Sequence, residues 1–181
     1  MTRKPERYSS AAPLTGDGRQ RIVSELASLG DALTVTVYVG PPSPALPSDP
    51  AEWNARDLAQ AVLIDKSTAR ISSGQRVSLN SLESAEEVQV DGAPYYYFES
   101  IARGSPTMLE ATKETYRHQY AVSAVRKGDD GTPYIYTFSV QCPEALWRDG
   151  EAGFREAVRS FRLAGTTKDY VAPDRDPWRF F

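Results

Sequence analysis

Cysteine and histidine are almost absent from the sequence: Cys142 and His118 are each the single residue of their kind. One thiol cannot build a disulfide framework, and this pair cannot build a multi-cysteine zinc site. A lone thiol is compatible with reducing and oxidising compartments alike. No apolar run approaches the roughly 18 residues that a membrane-spanning helix needs. Positive charge is not in excess either, since 21 Lys and Arg stand against 24 Asp and Glu for a net charge of -3. Binding nucleic acid regardless of its sequence needs clustered cations that displace counterions, and no such cluster is present. The patterns G-x-G-x-x-G, G-x-x-x-x-G-K-[ST] and G-x-S-x-G are missing too. Their absence removes the commonest dinucleotide, nucleotide and hydrolase signals.

What is present is a chain of 181 residues, 40% hydrophobic and 25% charged. That suits one domain with a real core and room for an appended arm. The opening MTRKPERYSSAAPLTGDG is basic and Ser-rich, with no apolar stretch and no cleavage site, so targeting cannot be read from it. Residues 1–30 read as a flexible N-terminal arm or a divergent first strand, 31–164 as the domain, and 165–181 as an aromatic tail. Leu33 to Val39 alternates strictly and predicts a strand. It stops at Gly40, and Pro41, Pro42, Pro44, Pro47 and Pro50 then predict a stiff loop. The sharper reading of that loop is a proline-rich ligand; the simpler one, adopted here, is a well-anchored connection.

Asp49-Pro50-Ala51-Glu52 has the form of a helix start, and Trp53, Leu58, Ala61 and Val62 follow at helical spacing to an end near Asp65. Lys66 to Ser81 is polar and Ser-rich, a loop or short irregular strand. Leu82 to Val90, a turn at Asp91-Gly92 and the return strand Pro94 to Phe98 predict a hairpin, because Asp-Gly tolerates the positive φ of a tight turn. Arg117 to Arg126, the loop KGDDGT and Pro133 to Gln141 predict a second. Phe154, Ala157, Val158 and Phe161 then mark one face of a helix. Consecutive hairpins with segregated helices indicate an antiparallel sheet covered by helices.

The hairpin segments SLESAEEVQVDGAPYYYFESIAR, RHQYAVSAVR and PYIYTFSVQCPEALW, with FREAVRSFRL after them, resemble the PsbP-domain family, relatives of an extrinsic subunit of photosystem II. The resemblance spans roughly residues 33 to 163 and includes the Arg117-His118-Gln119 triplet and Trp147. It implies an α-β-α sandwich around a mainly antiparallel sheet. It also implies a non-enzymatic extrinsic subunit or assembly factor, bound to a photosystem complex from the lumen of the chloroplast thylakoid and peripheral to the membrane. In the parent subunit a metal is associated with the His of the triplet and an acid at the position of Glu144. Here that acid is Glu rather than Asp, one methylene longer. The parent's N-terminal arm is not recognisable in residues 1–30, so its role is not carried over.

Placing Tyr120 opposite Val140 and Val122 opposite Phe138 gives a consistent apolar face and sets His118 near Cys142, with Glu144 just beyond the strand. His118 and Glu144 together are two ligands, enough for weak zinc, manganese or calcium binding at most, since stable zinc sites use three or four. The simpler reading is a His–carboxylate hydrogen bond that stitches the end of the sheet, with no cofactor. A Cys142–His118 pair also raises nucleophilic catalysis; a further alternative is a protein-binding module on the related fold of a Ran-binding transport factor. Trp178, Arg179, Phe180 and Phe181 are costly to leave in water. They are expected either to pack back on the domain or to enter a partner, and are candidate partner-binding residues.

Overall fold

Period-two alternation in the central strands decides the architecture, because it sends apolar side chains to both faces of the sheet. The computed structural model describes residues 2–4, 7–8, 21–28, 30–72, 79–104 and 115–173. Its strands are β1 (Thr2–Lys4), β2 (Arg7–Tyr8), β3 (Arg21–Ser28), β4 (Leu33–Gly40), β5 (Leu79–Val90), β6 (Ala93–Gly104), β7 (Thr115–Lys127) and β8 (Pro133–Pro143), and its helices are α1 (Ala55–Ser72) and α2 (Glu144–Arg159). The sheet runs in the order β1-β3-β4-β8-β7-β6-β5, with β2 also on β3, and every neighbouring pair is antiparallel.

Successive residues of β6 separate the two cores. Tyr96 and Phe98 pack with Leu58, Val62 and Trp53 on the α1 face. Tyr95 and Tyr97 join Tyr120, Val122, Trp147 and Val158 on the α2 face. Side chains one residue apart on a strand point to opposite faces, so the helices cover opposite sides and the molecule is the expected α-β-α sandwich. Phe98, Leu58, Val122, Val140 and Val158 are fully buried, and each such side chain contributes about 1.5–3 kcal/mol of transfer free energy.

Both predicted hairpins are present. Asp91 and Gly92 turn the first with φ of 52° and 77°, the pair of positive values that a type I′ turn requires. In the second, Tyr120 opposes Val140, Val122 opposes Phe138 and His118 opposes Cys142, the register anticipated from the apolar face. A further hairpin, β3–β4, uses residues 21–28, inside the segment whose sequence left an arm or a divergent strand open.

The first helix corrects two boundaries. Asp49 does cap, accepting from the Ala51 amide at 3.0 Å, but only a single 3-10 turn, Pro50–Glu52, follows. Trp53 is extended, with φ of -74° and ψ of 139°, and the α-helix starts at Ala55, with Asn54 accepting from the Asp57 amide at 2.9 Å. It ends at Ser72 rather than near Asp65. The last turns are polar, so hydrophobic periodicity fades there, yet neither Pro nor Gly interrupts them before Gly74.

The proline-rich loop is anchored. Leu46 is buried in the α1-face core, and Trp53 donates its indole N–H to the Pro47 carbonyl at 2.7 Å. After α2 the chain crosses the sheet again: the Leu163 amide donates to the Tyr95 hydroxyl at 3.0 Å, Tyr136 and Tyr170 share a hydroxyl hydrogen bond of 2.8 Å, and Ala172 is buried. The segment assigned to a tail at 165 therefore begins as part of the domain surface. Trp178, Arg179, Phe180 and Phe181 lie outside the described residues.

Candidate functional site

His118 sits on β7 two residues before Tyr120, on the α2 face, where a run of aromatic and aliphatic side chains is interrupted by charge. It is nearly buried, and its ring stacks on Trp147 of α2 with centroids 4.0 Å apart and planes 6° from parallel. The first turn of α2 is responsible for that contact. Pro143 ends β8, Glu144 opens the helix, and Trp147, one turn on, falls on the face that meets the sheet. Gly150 makes room beside it, since a Cβ there would lie 2.5 Å from the ring of Phe154, which in turn packs 5.6 Å from Trp147.

Both ring nitrogens of His118 meet carboxylates. Nδ1 is 2.7 Å from Glu144 Oε2, and Nε2 is 2.6 Å from Glu99 Oε1. Ionised carboxylates only accept, so both bonds together need a proton on each ring nitrogen. Glu99 uses its other oxygen on Arg155, 2.7 Å away, and Arg155 reaches Glu151 at 2.8 Å. The Arg155 guanidinium also lies over Tyr120, 4.7 Å from the ring centroid. The result is an alternating line from Glu144 through His118, Glu99 and Arg155 to Glu151. It ties β6 and β7 to two separate turns of α2.

Burial alone would push Glu99 up, but the hydrogen bonds from Arg155 and His118, together with their charges, outweigh it and hold the carboxyl below the ordinary carboxylate value. Burial likewise disfavours the Arg155 cation, yet Glu99 and Glu151 reverse that and raise its pKa. Such pairs are costly to desolvate and costly to break.

The structure therefore brings His118, Glu144 and Cys142 together, as the register anticipated. What it makes of them differs by pair. Cys142 is fully buried. Burial raises its thiol pKa and Glu144 adds to the effect, with Arg117 in partial opposition, so the thiolate that nucleophilic chemistry needs is disfavoured. Both His118 nitrogens are already engaged by carboxylates, which leaves none to activate the thiol. For a metal, His118 and Glu144 stand at hydrogen-bonding separation with Glu99 across the ring, and no group of three or more His, Cys, Asp or Glu converges among the described residues. As arranged, these side chains do not fit a stable three- or four-ligand site. Calorimetric titration with zinc is accordingly expected to register weak binding or none. Tight stoichiometric binding that His118→Ala abolishes would show that an ion displaces the hydrogen bond.

Glu99 and Arg155 were not singled out by sequence reasoning. A signal existed for Glu99: it extends the Tyr95, Tyr97 row by one more period of two, so it is an acid on an inward face. Arg155 gives a weaker one, as the i+4 partner of Glu151 on the helix face that carries Trp147.

The PsbP family profile matches residues 46–163, a span that contains every member of the line from Glu99 to Arg155. Over 99% of its length the chain is 42% identical to PsbP domain-containing protein 5, chloroplastic, of Arabidopsis thaliana, and it spans 59% of that relative's length. Among solved structures, the solution structure of cyanobacterial PsbP from Synechocystis sp. PCC 6803 matches with a TM-score of 0.51 at 18% identity, over 79% of this chain and 75% of that one. At that identity the likeness speaks for the fold alone.

Proposed function

The chain belongs to the PsbP family, and from that premise we propose that it is a non-enzymatic extrinsic subunit or assembly factor of a photosystem complex, acting from the thylakoid lumen. The observation that carries this reading is the length of the match: 42% identity along 99% of the chain to a chloroplastic PsbP-domain protein. The site's chemistry is in keeping with a binding role. Its charged side chains pair with one another across the seam between α2 and the sheet. Among the described residues no helix is long and apolar enough to cross a membrane; attachment to the complex at the membrane periphery is part of the same proposal.

Affinity purification from detergent-solubilised thylakoids tests the proposal. Subunits of photosystem II or photosystem I are expected to co-purify with the tagged chain, and recovery of neither above a control bait would sink it. The aromatic run Trp178, Arg179, Phe180 and Phe181 is proposed as part of the contact, on its chemistry alone: aromatics with Arg are the residue types that dominate interface energetics. Deleting residues 175–181 is expected to weaken co-purification at least several-fold while circular dichroism stays unchanged. An unfolded truncation would assign those residues to the core instead, and full binding by a folded truncation would place the contact on another face.

A further inference from the structure

The two ends of the sheet are treated differently. At one end β3 is covered by the chain's own β1 and β2. Those short strands are cationic, with Arg3, Lys4 and Arg7, and the register sets Lys4 opposite Glu25. At the other end stands β5, 12 residues long, and among the described residues no strand pairs with its outer side. An edge of this kind presents a row of unpaired backbone donors and acceptors, and natural sheets blunt it with Lys, Pro, bulges or short strands.

Here β5 carries a bulge between Leu82 and Ser84, but from Ser84 to Val90 the register is regular. That leaves a straight edge of roughly 24 Å at about 3.4 Å per residue. β5 contains neither Lys nor Arg nor Pro, and its charges are of one sign: Glu83, Glu86 and Glu87 are all exposed. Beside them Val88 is an exposed large hydrophobic. Glu86 meets Arg159 at 3.1 Å, but both side chains are more than half exposed, so this pair is weak and exchangeable.

We propose that the Ser84–Val90 edge of β5 is a docking rail for an extended, Lys- or Arg-bearing segment of a partner protein, added to the sheet as a further strand. Backbone hydrogen bonds would supply the affinity of such strand addition, and alternate side chains its specificity. Charge selects the occupant. A second copy of β5 would set carboxylates against carboxylates across the new ladder, which is unfavourable. A cationic strand would meet Glu86 on one face and Glu87 on the other, with an apolar residue against Val88. At the opposite edge the register likewise places a basic position, Lys4 of β1, opposite an acidic one, Glu25 of β3. The proposal does not depend on the photosystem assignment, since either can fail without the other.

The probe is a synthetic eight-residue peptide with a central Val-Lys-Lys run flanked by valine and threonine, so that its adjacent lysines fall on opposite faces; it is titrated into the intact chain and followed by amide NMR. Shift changes and slowed amide exchange are expected in residues 84–90, weakening at least tenfold on going from low to physiological salt. A Glu86→Lys/Glu87→Lys double variant is expected to lose the response, as is a peptide with proline at alternate positions. Both substitutions are on the surface, and circular dichroism checks that the variant is folded. No response in 84–90 at millimolar peptide would overturn the proposal, as would equal binding by the double variant. Self-association through β5 seen by sedimentation, without peptide, would also overturn it in favour of a second copy.

Discussion

Trp147→Ala is expected to destabilise the fold by about 3–5 kcal/mol, the range for removing a large aromatic from a packed core. The side chain is 3% exposed, lies flat on the His118 ring at 4.0 Å and touches Phe154. Its loss therefore opens a cavity where α2 meets β7, and also removes the ring on which His118 is stacked between its two carboxylates. For a chain of this length the change corresponds to a fall in Tm of roughly 10 °C. Urea denaturation followed by far-ultraviolet circular dichroism measures it. Trp147→Phe keeps one stacked face and is expected to cost less than half as much. A loss below about 1 kcal/mol for Trp147→Ala would mean that α2 is held by its Val158 end and that the stack on His118 is incidental.

The parts of this arrangement that could be read from sequence are those set by local chemistry or by strict alternation. Asp91-Gly92 names its own turn, and the apolar rows of β7 and β8 fix a register whose next pairing, His118 with Cys142, follows without further information. The end of α1 was missed because its last turns carry no hydrophobic period, and helix propagation needs none. The entry to α1 was misjudged because Asp49 and Asn54 offer consecutive caps, and only tertiary packing chooses which begins the α-helix. Glu99 and Arg155 belong to elements far apart in sequence. Their meeting depends on where α2 crosses the sheet, which no local pattern encodes. What sequence did fix was the set of neighbours of His118 along the chain, not the second carboxylate that closes its other side.

That second carboxylate makes Glu99→Gln the sharper test of the line. Gln keeps the shape of the side chain but removes the charge that faces both His118 and Arg155. Near neutral pH the variant is expected to be less stable by about 2 kcal/mol, the scale of a partly buried hydrogen bond to a charged group. The pH dependence gives the sign. Burial raises Glu99, but Arg155 and His118 outweigh it, so the folded-state pKa lies below the ordinary 4.5. The unfolded chain then binds the proton first as acid is added, and stability falls with pH across that window. The contribution of Glu99 is complete above its unfolded value and is lost as the pH drops through the lower, folded one. Unfolding free energies of the two proteins, compared from neutral pH down to about 3, should therefore converge in acid. Carboxylates that share no partner with Glu99 affect both proteins alike and cancel in the difference. A gap that stays constant as the pH falls would show that Glu99 is held by shape rather than by its ion pairs. A Glu99→Gln/Arg155→Ala cycle separates the partners: coupling of at least about 0.5 kcal/mol is expected, and simple additivity would remove Arg155 from the line and leave His118 as the sole reason for an acid on the inward face of β6.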